Sequence, residues 1–177
     1  MRDLALHRAF RAVLEALAHP GRSIDGPLVG GVDVARRTAT LAIEAIWDAA
    51  TSLYCAASPA LPLRFAPFAA EPETADVIVV EGAPDPALVG AAKRGNEELP
   101  EEGATFVCIA GAPARTPVRL SGPGIDGETT AALPLAPAVL AARDEACACY
   151  PLGIDFVIFE RDGRIVGLPR TTKVDLV

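Results

Sequence analysis

The sequence predicts an α/β fold, a three-layer α/β/α sandwich built around a mixed sheet. Several segments repeat apolar residues at helical spacing, which indicates amphipathic helices. Residues 75–82, ADVIVVEG, form a continuous β-branched run, typical of a strand that is covered on both faces. The chain closes with two apolar runs joined by Asp162-Gly163, a strong hairpin signal. Helices that alternate with strands, followed by an antiparallel hairpin, favour this layered architecture.

The first half of the chain contains two predicted helices and two predicted strands. Apolar residues at helical spacing predict a first helix that ends at His19-Pro20-Gly21. Asp33 can cap a second helix over residues 34–50, because its side chain can accept a hydrogen bond from a free backbone N–H. A short strand is expected over residues 51–56, before the buried run. Prolines make residues 58–73 a loop, since each one removes a backbone donor.

The second half alternates in the same way. Asp85 and Pro86 start a third helix that runs to Ala92. Strands follow in two apolar segments, and a fourth helix is predicted after the glycine-rich loop. The hairpin then completes the sheet. The segments are, in order, strands 104–111 and 118–122, loop 123–128, helix 137–147, and hairpin strands 155–161 and 164–168.

Length and composition limit the possible classes of protein. A chain of 177 residues fits one domain, so we expect a single domain over residues 1–177. No apolar run approaches the roughly 20 residues that span a bilayer, and no signal peptide is evident, so we expect a cytoplasmic protein with no membrane partner. The net charge of -7 argues against a nucleic-acid partner, which would need a basic surface.

The residues that commonly bind metals or form disulfides are sparse and badly spaced for either task. The cysteines show no Cys-x-x-Cys spacing, and both histidines lie in a different segment. We therefore expect no metal and no disulfide. A Gly-x-Ser-x-Gly motif is also missing, which argues against serine-hydrolase chemistry. The cysteines and histidines of the chain are Cys55, Cys108, Cys147, Cys149, His7 and His19.

Two segments could bind an anion. Ser121, Gly122 and Gly124 follow a predicted strand, where a glycine turn can point successive backbone N–H groups at an anion while the serine donates its hydroxyl. The alternative is a tight turn with no ligand, for which glycine is the usual residue. Catalytic residues are not assigned from either segment.

The second candidate segment is Pro169-Arg170-Thr171-Thr172, at the exit of the last hairpin strand. A guanidinium and two hydroxyls suit a phosphate or phosphonate group, or the carboxylate of a partner. Asp155 begins the neighbouring hairpin strand and needs a partner if it is buried, which Arg170 could provide. This pair could be structural or part of a site, and a solvated arginine at a strand exit is a third possibility.

Four segments together resemble the PhnH family, the H subunit of the carbon–phosphorus lyase core complex. They are residues 9–21 (AFRAVLEALAHPG), 100–111 (PEEGATFVCIAG), 119–125 (RLSGPGI) and 150–172 (YPLGIDFVIFERDGRIVGLPRTT). They occur in order over nearly the whole chain, and Asp48 is also similar to a position where the family tends to have aspartate. The resemblance implies a fold similar to the pyridoxal-phosphate-dependent transferases without the cofactor, and a homodimer when the protein is isolated.

The resemblance also implies a function in organic phosphonate catabolism. The G, H and I subunits, with an L subunit, transfer alkylphosphonate to the ribose of ATP with release of adenine, the α-D-ribose 1-methylphosphonate 5-triphosphate synthase reaction. The J subunit later breaks the carbon–phosphorus bond. The expected partners are therefore G, I and J subunits. Pyridoxal phosphate is not expected, because Lys93 lies in a polar helix end and Lys173 lies near the terminus, and neither suits a desolvated Schiff base.

Three hypotheses follow for the chain itself. The first is a positioning or assembly role, in which the glycine turn and the Arg170–Thr172 segment share a cleft beside an apolar partner surface. One departure favours it: the family commonly has a His-Thr pair after its Leu-Arg-Phe motif, whereas Ala66-Pro67 follow here. The second is a stand-alone enzyme that binds a phosphate or phosphonate ligand through Asp155 and Arg170. The third makes both segments structural turns.

Overall fold

The computed structural model describes residues 2–27, 29–56, 61–112 and 114–177. Its four helices are α1 (Arg2–Ala18), α2 (Val34–Ile46), α3 (Pro86–Ala91) and α4 (Pro137–Ala146), with a short 3-10 helix over Pro100–Glu102. Its strands are β1 (Ser23–Ile24), β2 (Ser52–Cys55), β3 (Phe68–Ala69), β4 (Val77–Glu81), β5 (Thr105–Ile109), β6 (Thr116–Ser121), β7 (Glu128–Leu133), β8 (Asp155–Phe159), β9 (Ile165–Leu168) and β10 (Lys173–Leu176). Residues 58–60 of the expected proline-rich loop lie outside the described residues.

Within the described residues, seven strands form a mixed sheet in the order β1-β9-β8-β5-β4-β2-β3. Strands β2, β4, β5 and β8 are parallel neighbours, and β9 returns antiparallel to β8 through the expected Asp162-Gly163 turn. The prediction of a mixed α/β sheet is confirmed. In the parallel part, Thr105 of β5 lies opposite Asp155 of β8, so the first residues of these strands share one edge of the sheet.

Helices cover both faces of this sheet. Val77 and Val79 of β4 contribute to a core with α1 and α2, whereas Ile78 and Val80 contribute to a second core with α3 and α4. Side chains alternate across a strand, so the continuous apolar run fills both cores, as the sequence indicated. Among the described residues, no helix is long and apolar enough to cross a membrane.

A second sheet, which was not predicted from the sequence, has three antiparallel strands in the order β10-β6-β7. It packs on the same side as α3 and α4, where Val118, Leu133 and Val174 are buried. Only the strand now called β6 was expected. Strands β7 and β10 were missed because each buries a single apolar residue, which leaves too weak an alternating pattern to see.

The second helix also ends earlier than predicted, at Ile46 instead of residue 50. Trp47 has an extended backbone, with φ -117° and ψ 164°. The Asp48 side chain then accepts a hydrogen bond from the backbone N–H of Ala50, at 2.8 Å. An aspartate side chain stabilises such a turn by accepting a hydrogen bond from the backbone two residues further on. This local turn follows the helix directly, so the helix does not continue to residue 50.

Candidate functional site

Asp155 and Arg170 form an ion pair at one edge of the main sheet. Asp155 is the first residue of β8, and Arg170 follows β9, its antiparallel neighbour, so the hairpin brings the two side chains together. One carboxylate oxygen of Asp155 accepts from the Arg170 backbone N–H at 2.7 Å. The other accepts from Nε at 3.0 Å and from Nη2 at 2.6 Å. Charge-assisted hydrogen bonds from two guanidinium nitrogens hold both side chains in one orientation.

The guanidinium of Arg170 is also bonded to backbone carbonyls from a distant loop. Nη1 donates to the Pro100 carbonyl, and Nη2 contacts the Gly103 carbonyl at 3.4 Å. A Cβ added to Gly103 would lie 2.7 Å from Nη1 and 2.1 Å from the Gly153 carbonyl oxygen, so the surrounding backbone has room only for glycine here. The side chains of Arg170 and Asp155 are 14% and 22% exposed. All three guanidinium nitrogens therefore already have protein acceptors.

The pair lies at the amino ends of the parallel strands, because Asp155 and Thr105 begin theirs. In open α/β sheets, ligands usually bind outside the carboxyl ends. Position and hydrogen bonding both fit a structural pair that fastens the hairpin to the loop before β5.

The turn at residues 121–124, called the glycine bend from here on, lies beside the Arg170–Thr172 segment. Ser121 pairs with Lys173 between β6 and β10. A Cβ on Gly122 would lie 2.8 Å from the Thr171 carbonyl. The two segments that the sequence analysis singled out are therefore in contact through their backbones. Anion binding by this contact remains a prediction.

Gly124, by contrast, faces the end of α1. A Cβ on this residue would lie 2.2 Å from the Ala18 carbonyl, and its φ of +82° also favours glycine. It lines a cleft of about 400 Å³ with His19, Arg22 and Asp126. The glycine bend therefore contacts two different parts of the chain. Gly122 lies against the Arg170–Thr172 segment, and Gly124 lies against the end of α1.

Thr171 and Thr172 line a different cleft, of about 470 Å³, between α4 and residues 170–175. The Thr172 side chain is buried, and its backbone N–H donates to the Pro169 carbonyl at 3.0 Å. Arg143 of α4 lines the same cleft and is 1% exposed. Arg143 has no distinguishing signal in the sequence, because a cation near the end of a helix is ordinary and also suits the helix dipole.

The carboxyl ends of the parallel strands carry another charged group that the sequence analysis did not single out. Glu160 follows β8, is nearly buried, and accepts from Ser23 Oγ at 2.5 Å and from the Arg115 guanidinium. Arg115 and Glu160 line a cleft of about 320 Å³ beside Gly111. Both charges of this pair are matched within the protein.

Several titratable groups have perturbed pKa values. Burial raises the pKa of Asp144 above its ordinary value, and Asp175 adds to this, although Arg143 acts in the opposite direction. Burial alone would also raise the pKa of Asp76, but hydrogen bonds from Lys93 and Ser52 outweigh it, so the pKa lies below its ordinary value.

Comparison with protein families gives a match that covers almost the whole chain. The family model described as bacterial phosphonate metabolism protein (PhnH) matches residues 4–175. No curated protein sequence matches the chain. The matched range includes the ion pair, the glycine bend and the cleft beside α4.

Proposed function

Because the chain belongs to the PhnH family of bacterial phosphonate metabolism proteins, we propose that it is a subunit of the carbon–phosphorus lyase system. In this proposal it supports, with G, I and L subunits, the transfer of alkylphosphonate to the ribose of ATP with release of adenine. It works in the cytoplasm, forms a homodimer when isolated, and has a fold similar to the pyridoxal-phosphate-dependent transferases. Its own part is to position or assemble the other components.

The hydrogen bonding of Arg170 is the observation that supports a positioning role. An anion clamp needs a guanidinium that can turn its donors towards the ligand. Here Nε, Nη1 and Nη2 all donate to acceptors within the chain. Releasing them for a ligand would leave the Asp155 carboxylate without its charge partner, which is costly for a group that is mostly shielded from water.

The exposed apolar residues of α1 support contact with a partner protein. Leu4, Phe10 and Leu14 are large apolar residues that remain exposed on this helix. Apolar side chains grouped on one surface often mark an interaction site. We propose that this surface contacts a second copy of the chain or one of the G, I and J subunits.

The lysines support a role that does not use pyridoxal phosphate. A Schiff-base lysine must be desolvated and free to act as a nucleophile. Lys93 Nζ instead donates to the Asp76 carboxylate, and Lys173 is exposed at the start of β10.

A stand-alone enzyme that binds a phosphate or phosphonate ligand is the alternative proposal. It would use Asp155 and Arg170 as acid–base group and anion clamp, and the contacts of Arg170 weigh against it. The proposals differ in what the isolated chain can do. If it converts ATP and methylphosphonate to product without other subunits, the positioning role is wrong.

Co-purification and growth test the proposed function together. The tagged chain is expressed with G, I and J subunits in a bacterium whose own copy of the gene is deleted, and growth is followed with methylphosphonate as the sole phosphorus source. We expect the three subunits to co-purify and growth to be restored, with growth on inorganic phosphate as the control. Restored growth without co-purification would count against an assembly role, and failure to restore growth would count against the function itself.

A further inference from the structure

The Pro169 carbonyl brings together two buried polar residues from separate parts of the chain. Arg143 Nη2 donates to this oxygen at 2.5 Å, across 26 residues of sequence. The backbone N–H of Thr172 donates to the same oxygen at 3.0 Å. The arginine is 1% exposed and the threonine is 2% exposed. Both residues line the cleft between α4 and residues 170–175.

Each of these residues keeps one unsatisfied polar atom. Arg143 Nε and Thr172 Oγ1 are buried and have no hydrogen-bond partner among the described residues. An unpaired buried polar atom is costly, and native structures contain few of them. Two such atoms on residues that bond to one carbonyl therefore suggest that the cleft is built to receive a polar group.

The charge of Arg143 is only partly balanced. Within the described ranges, its carboxylate contact is to Asp144, at 2.9 Å, and the Asp144 side chain is 45% exposed while Arg143 is buried. Burial and the nearby Asp175 raise the pKa of Asp144, so its negative charge is less favourable in this position than in water. An incoming anion could take the place of Asp144 at Arg143. Lys173 is exposed, lines the same cleft and adds a second cation.

We propose that this cleft binds a small oxyanion, a phosphate, phosphonate or carboxylate group, through Arg143, Thr172 and Lys173. A guanidinium and an ammonium only donate hydrogen bonds, and a hydroxyl can donate a third, so the set matches the oxygens of an anion. The volume of about 470 Å³ lies within the usual range for small-molecule sites. Arg170 takes no direct part, because its donors hold Asp155 and the loop before β5.

This inference deepens the proposed function and rests on it for the choice of methylphosphonate as a ligand. Binding of the anion itself requires no other subunit. Isothermal titration calorimetry of the isolated full chain with methylphosphonate, inorganic phosphate and acetate provides the test. The three titrations distinguish a phosphonate site from a general phosphate or carboxylate site. Saturable binding of at least one anion is expected, and three flat titrations would overturn the proposal while leaving co-purification with other subunits unaffected.

Variants that preserve the fold then test the assigned residues. Lys173→Ala removes an exposed charge and should weaken binding about tenfold, whereas Lys173→Arg should keep most of it. Arg161→Ala, which removes an exposed arginine beside a different cleft, is the matched control and should leave binding unchanged. Binding that is equally strong in Lys173→Ala and in the control would overturn the assignment.

Thr172→Val separates a binding role from a structural one. The hydroxyl has no hydrogen-bond partner in the part of the chain that the structure describes, so its replacement by a methyl group should leave the melting temperature unchanged or higher. The same substitution should weaken anion binding about fivefold to tenfold, because it removes a donor. A lower melting temperature with unchanged affinity would contradict the proposal. Asp144→Asn should tighten binding, because it removes the competing carboxylate, and weaker binding in this variant would also contradict it.

Discussion

Replacing Arg170 by alanine should destabilise the protein by about 3 kcal/mol, within the range observed when one partner of a buried ion pair is removed. The substitution deletes both side-chain contacts to Asp155 and the donors to the Pro100 and Gly103 carbonyls. Breaking a fully buried pair costs about 3–5 kcal/mol, and the 14% and 22% exposure of these side chains places the effect at the lower end.

Urea denaturation at pH 7 measures this effect. A loss of about 3 kcal/mol corresponds to a decrease of roughly 6–12 °C in melting temperature for a chain of this size. The midpoint should fall while the slope of unfolding free energy against urea stays the same. Arg161→Ala is the control, and we expect a change of no more than about 0.5 kcal/mol because that arginine is exposed.

A double-mutant cycle shows whether the loss comes from the pair. Asp155→Ala is introduced alone and together with Arg170→Ala. If the two side chains stabilise each other, the double variant should lose less than the sum of the single losses, by about 1–3 kcal/mol. A strictly additive result, or an Arg170→Ala protein as stable as the parent, would refute the structural role of the pair. If Arg170 served only to bind a ligand, Arg170→Ala would be as stable as the parent protein.

The other predictions concern backbone, charge and thiol positions. Gly124→Ala should lower the unfolding free energy by at least about 1 kcal/mol more than Gly127→Ala does. Both glycines have positive φ, but only a Cβ on Gly124 would clash with the end of α1. Equal losses in the two variants would contradict this prediction. Asp76→Asn should lower the unfolding free energy at pH 7, and the difference should shrink as the pH falls below about 4, because a carboxyl with a lowered pKa stabilises the fold only while it is ionised. A difference that does not change with pH would show that the charge contributes nothing. With a thiol reagent at pH 8, the exposed Cys149 should react in the folded protein, whereas Cys108 should react only when the protein unfolds. Burial raises the pKa of the Cys108 thiol and blocks access to it. Rapid reaction of Cys108 in the folded protein would contradict its burial.

The elements with strong local patterns were predictable from the sequence. The apolar run of β4 is buried on both faces, and the turn at Asp162-Gly163 fixes the register of the last hairpin. The same register made contact between Asp155 and Arg170 predictable, because the two residues flank neighbouring strand ends. Periodicity and turn chemistry are local signals, and both operate here within a few residues.

The long-range contacts of the site could not be predicted. Arg170 reaches carbonyls of Pro100 and Gly103, which lie 70 and 67 residues away. Arg143 reaches the Pro169 carbonyl only because α4 packs beside the segment that leads into β10, a strand with a single buried residue. Backbone carbonyls carry no sequence signal, so their partners become visible only when the chain is folded.

The release of adenine from ATP and methylphosphonate, measured with purified subunits, tests the central claim most directly. The claim is that this PhnH-family chain supports the reaction as a positioning subunit and does not catalyse it alone. The account predicts no release by the isolated chain, release by the chain together with G, I and L subunits, and a return to background when this chain is omitted. Release by the isolated chain at a comparable rate, or an unchanged rate when it is omitted, would contradict the account.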